Sequence, residues 1–110
     1  MQEITVVTNT FGPVSGDQRI LESNDDYDVI KKADGTIEGN YFAGFEDTFF
    51  KVTLTGTNPS QKFCLYEKKM FDSKKEETIA SFVLYANSAG ILEFGRTLAA
   101  GTYLHINSDQ

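Results

Sequence analysis

Cys64 and His105 are the only thiol and the only imidazole in the chain, so nucleophilic or acid–base chemistry would have to be built around them. A thiolate would need His105 as its base and a third group to orient the ring. In Thr102-Tyr103-Leu104-His105-Ile106, however, His105 alternates with apolar residues, which places it with Tyr103 on the solvent side of a strand. Cys64 lies in Phe63-Cys64-Leu65-Tyr66, the middle of an apolar strand, where a thiol reads as a small buried hydrophobe. The Gly, Ser and Gly of a nucleophile elbow, the dinucleotide glycines and the Lys-bearing phosphate loop are all missing. One Cys and one His also cannot fill the four positions of a structural zinc site. No catalytic residue is assigned, and the chain is not expected to be an enzyme.

Hard oxygen ligands are more plentiful. Glu22, Asn24, Asp25, Asp26 and Asp28 fall within one irregular segment, which makes calcium the one ion worth weighing. The spacing is not that of an EF-hand: counted from Asn24, the tight-turn glycine position holds Val29 and the bidentate Glu position holds Gly35. Two readings remain, a non-helical site completed by Asp34, Glu38 or Asp47, and a solvated acidic loop. No other cofactor is expected.

The elements that would carry these groups are strands. Apolar residues seldom recur at helical spacing, whereas Val, Ile, Thr, Phe and Tyr occur in short alternating runs. Strands are expected over residues 4–8, 36–42, 48–55, 62–67, 78–85, 90–94 and 102–107. The clearest is 48–55, with Phe50, Val52 and Leu54 on one face and Phe49, Lys51 and Thr53 on the other. Turn chemistry separates the strands at Asn9 to Pro13, Asp34-Gly35, Gly56 to Ser60, Ala86 to Gly90 and Leu98 to Gly101. The acidic segment 22–28 and the charged segment 67–77 do not follow the strand rhythm, and the second reads as a solvated hairpin tip, with a short helix as the alternative. At 110 residues, with 40% hydrophobic and 13% aromatic content, the chain is expected to form one all-β domain, residues 1–110. The architecture implied is an antiparallel β-sandwich, jelly-roll-like.

Some of these residues resemble the bacterial pre-peptidase C-terminal domain family. The resemblance rests on Glu22-Ser23-Asn24-Asp25, Ala33, Ile37-Glu38-Gly39, Asp47-Thr48-Phe49-Phe50-Lys51-Val52 and Ala100-Gly101-Thr102-Tyr103, and runs from Glu22 to Ile106. It implies a non-catalytic sandwich of the kind appended to secreted enzymes, some of which bind calcium. Carried onto this chain, it implies Glu22, Asn24, Asp25 and Asp47 as calcium ligands. An initial strand within Met1 to Thr10 has no place in the family's short motif.

Charge narrows the partners. Ten Lys and Arg against sixteen Asp and Glu give a net charge of -6, the wrong sign for nucleic acid or an anionic membrane surface. No stretch has the length of a membrane span, and residues 1–7 lack the basic start and apolar core of an export signal. A chain opening at Met1 is what a complete small protein would show. The leading expectation is a structural protein that binds other protein subunits, and could itself oligomerise, as on the surface of a virus capsid. The alternative is a calcium-assisted targeting module of a secreted bacterial enzyme. The groups expected to make contact are Ile4, Val6 and Phe11 near the N-terminal strand, and Tyr41, Phe42 and Phe45 beside Gly44. Core packing is the competing reading for these aromatics.

Overall fold

The structure, a computed structural model, describes residues 1–70 and 76–109. It is all-β. In chain order the strands are β1 (Gln2–Asn9), β2 (Gln18–Ser23), β3 (Tyr27–Lys32), β4 (Ile37–Phe42), β5 (Thr48–Thr55), β6 (Lys62–Met70), β7 (Glu76–Tyr85), β8 (Leu92–Leu98) and β9 (Thr102–Ser108). They form a three-stranded sheet, β1-β5-β8, packed on a six-stranded sheet, β2-β3-β4-β9-β6-β7. The expected sandwich is therefore present.

The alternation that marked β5 decides which face is buried. Phe50, Val52 and Leu54 have no exposed surface and meet Val29, Tyr41, Phe63, Leu65 and Ile106 of the facing sheet. Burying each of these large side chains contributes about 1.5–3 kcal/mol. Tyr41 is the hub of an aromatic group: its ring meets Phe50 edge-on at 5.7 Å, Phe94 at 6.4 Å and Tyr27 in a stack at 6.2 Å. On the flank of the core, Arg96 of β8 reaches across to Glu67 of β6. Its Nε donates to Glu67 Oε2 at 3.0 Å and its Nη2 donates to the same oxygen, while the guanidinium lies 4.7 Å over the Phe82 ring.

Three features depart from expectation. The acidic segment 22–28 is a loop only at Asn24 to Asp26; its two ends, Glu22-Ser23 and Tyr27-Asp28, are paired in the β2–β3 hairpin, with a register shift between Ile20 and Glu22. That bulge interrupts the alternation that would have marked β2 as a strand. Secondly, the sheets are not wholly antiparallel: β1 runs parallel to β5, Gln2 opposite Thr48 through Asn9 opposite Thr55. The chain leaves that sheet after β1, builds β2, β3 and β4 in the other, and returns at β5. Thirdly, Cys64 is half-buried rather than buried, because it lies on the outward side of β6 between Asn107 and Val83. Residues 71–75 of the expected hairpin tip lie outside the described residues. On either side of them β6 and β7 pair antiparallel, with Met70 opposite Glu76.

Candidate functional site

Two places bring together polar or exposed groups that the core does not need. The first is a row across the outer face of the six-stranded sheet. Successive register pairs place Asp28 (β3) beside Asn40 (β4), Asn40 beside His105 (β9), and His105 beside Tyr66 (β6). Asn40 Nδ2 donates to Asp28 Oδ1 at 2.9 Å, which fixes the amide so that its Oδ1 faces His105 Nδ1, also at 2.9 Å. A carbonyl oxygen only accepts, so Nδ1 of His105 carries the hydrogen. Tyr66 stacks on the imidazole with centroids 6.4 Å apart. Asp28, Asn40 and His105 thus form an orienting chain for an imidazole. Cys64 does not stand opposite that imidazole: it pairs in register with Asn107, one row away.

His105 faces outward, as its alternation with Leu104 and Ile106 implies, but it is half-buried. Tyr103 shares its face yet is buried, at 8% exposure, because the Phe42 ring lies 5.5 Å from its own. These two rings line a recess of about 270 Å³ with Gly44, Gly101 and Thr102.

That recess leads to the second place, one end of the sandwich, where three connections meet. The Asn24-Asp25-Asp26 turn closes on itself, Asn24 Oδ1 accepting from the backbone N–H groups of Asp26 at 2.8 Å and Tyr27 at 2.9 Å. This is the side-chain turn that Asn forms readily. The turn is tied to β4 by Phe42 N–H donating to Asp26 C=O at 2.8 Å. The connection from β4 to β5 is fastened to the one from β8 to β9 by Gly101 N–H to Gly44 C=O at 2.8 Å and Ala100 N–H to Asp47 Oδ1 at 3.0 Å. Gly44 and Gly101 both have positive φ, 60° and 79°, a conformation open to glycine at no steric cost. Thr48 Oγ1 donates to Glu46 C=O at 3.0 Å and closes the base.

Phe45 stands at the tip of this fastened loop, fully exposed at 105%. The carboxylates of Asp25, Glu46 and Asp47 belong to the same loops and are exposed. The result is an apolar point inside an acidic rim.

The six expected contact residues therefore separate. Val6 and Tyr41 are core residues, at 2% and 0% exposure, and Ile4 packs against the core. Phe42 is half-buried on the outer face. Only Phe11, at 73%, and Phe45 stand free of the core. Of the four expected calcium ligands, Asn24 and Asp47 each accept hydrogen bonds with Oδ1, and Glu22 sits within β2. Among the described residues, no group of three or more His, Cys, Asp or Glu converges in metal-holding geometry. The Asp28–Asn40–His105–Tyr66 row had no signal in the sequence beyond the strands that carry it, since register alone brings its members together. No family model matches the chain, and no curated protein is significantly similar to it.

Proposed function

We propose that this domain is a non-enzymatic assembly module that docks onto other protein subunits through its loop end. Among such roles we place decoration of a virus capsid surface first. The observation that carries the reading is Phe45: a fully exposed aromatic ring on a loop held at both ends by hydrogen bonds. A free aromatic on a preorganised loop is the form of a binding hot spot, because little conformational freedom remains to be lost on docking. The acidic rim adds a preference for a socket that is apolar at its floor and basic at its edge. The chain's net charge of -6 works in the same direction and against nucleic acid or anionic lipid as partners. No helix in the described residues is long and apolar enough to cross a membrane.

Sedimentation of assemblies from the native source, with cross-linking to identify neighbours, tests the reading. The wild-type chain is expected to travel with a large particle. Phe45→Ser is expected to fold normally and to bind at least about thirtyfold more weakly, the effect of losing a hot spot worth about 2 kcal/mol. A wild-type chain that sediments as a free monomer, cross-linked to nothing, would sink the proposal. A melting temperature raised by millimolar calcium would favour the targeting-module alternative instead, since an ion held only by the native state stabilises it by mass action.

A further inference from the structure

The strand β7 ends the six-stranded sheet, and among the described residues its only ladder partner is β6. An edge strand presents every second N–H and C=O unpaired, and such edges are usually blunted by Lys, Pro or a bulge. Over Thr78-Ile79-Ala80-Ser81-Phe82-Val83-Leu84-Tyr85 there is no Lys, no Pro and no charge of either sign. The one irregularity is at Ile79, where the register passes from Glu67 opposite Ala80 to Lys68 opposite Thr78. It lies at the end of the stretch and leaves residues 80–85 regular. Ile79, Val83 and Tyr85 are exposed at 49%, 44% and 62%.

The other three edges differ in degree. β2 carries Arg19 and Glu22 and β8 carries Glu93 and Arg96 within the strand; β1, like β7, is charged only at its start, with Glu3 against Glu76 and Glu77, but its charge-free run is six residues against eight and exposes one large apolar side chain, Val7, against three. In a chain of net charge -6 two copies repel, and β7 offers them the longest edge run that sets no charge against charge.

We infer that two copies of this chain join through β7, antiparallel across a two-fold axis at Phe82, to continue the six-stranded sheet from one copy into the next. The register is self-complementary. Phe82 meets its own copy and Ala80 meets Leu84 on the inward face, and Ser81 meets Val83 on the outward face. Strand addition of this kind draws its affinity from main-chain hydrogen bonds and its register from the alternate side chains. The contact does not involve Phe45 and stands independently of the loop-end docking.

Analytical ultracentrifugation of the whole chain over a concentration series tests it, with hydrogen exchange followed on the same samples. The wild type is expected to be a dimer whose residues 79–85 exchange more slowly as concentration rises. Val83→Lys is expected to raise the dissociation constant about tenfold or more, since the two-fold axis applies each loss twice. Val7→Lys on β1 and Phe45→Ser are expected to leave the constant unchanged. A chain that stays monomeric at millimolar concentration, or a dimer unmoved by Val83→Lys, would overturn the inference. If Val83→Lys does not fold, exchange in the wild type decides: concentration-independent exchange over residues 79–85 overturns the inference, and concentration-dependent slowing supports it.

Discussion

Tyr41 and Phe45 lie four residues apart and have opposite surroundings. Tyr41 holds an inward position on β4 with Ile37 and Gly39, whereas Phe45 lies beyond the end of that strand, where the alternation no longer applies. One ring is wholly enclosed by Tyr27, Phe50 and Phe94, and the other touches mainly water. Strand phase, not residue type, decides which aromatic stabilises the fold and which is left at the surface.

The largest test of that division is Tyr41→Ala. It removes a fully buried ring from between two sheets that cannot close over the gap, and a loss of about 3–5 kcal/mol is expected in denaturant unfolding. An effect below about 1 kcal/mol would mean that the aromatic group is not the centre of the core.

A smaller effect separates the Tyr41 ring from its hydroxyl. The oxygen is buried and has no hydrogen-bond partner among the described residues. Burial, reinforced by the nearby Asp28 carboxylate and then by Tyr27 and Glu22, pushes the hydroxyl well above the usual tyrosine range. In the unfolded chain it loses its proton near pH 10, while in the fold it stays neutral. Stability from this group is therefore complete below about pH 10 and falls as pH rises past it, by up to about 1.4 kcal/mol per pH unit. Tyr41→Phe is expected to remove that component of the alkaline slope. At neutral pH it should be neutral or stabilising by about 1 kcal/mol, because a desolvated, unpaired oxygen is gone. Chemical denaturation of both chains from pH 7 to 11 measures each effect, and identical alkaline slopes would contradict the assignment.

The same distinction explains what could be read from the residues alone. Strand β5 was legible because its alternation is unbroken, and so were β4, β6, β7 and β9. The β2–β3 hairpin was not, since the shift after Ile20 and the carboxylates around Asn24 disguise paired strands as an acidic loop. The parallel partnership of β1 and β5 was equally hidden, because pairing between distant segments leaves no local pattern. Glycine beside Phe45 marked an exposed turn correctly. Val6 and Tyr41 have no such mark, because an aromatic or apolar residue carries no label of the face it will occupy until its neighbours in the sheet are fixed. The row from Asp28 to Tyr66 needed three registers at once, each set by pairing rather than by spacing along the chain.

The smallest expected effect on stability is the most discriminating. Phe45→Ser removes a larger volume of side chain than many core substitutions, yet it should change unfolding free energy by no more than about 0.5 kcal/mol, the ordinary range for a surface site. The reason is geometric. The loop is held by Gly101 N–H on Gly44 C=O, Ala100 N–H on Asp47 Oδ1 and Thr48 Oγ1 on Glu46 C=O, and none of these bonds uses the Phe45 side chain. A ring that contributes nothing to the fold but is kept in a fixed place is free to be spent on a partner. Should Phe45→Ser instead cost 2 kcal/mol or more in the isolated chain, its ring would be packing against its own domain. The contrast with Tyr41 would then be one of degree, and the loop end would lose its claim as the docking site.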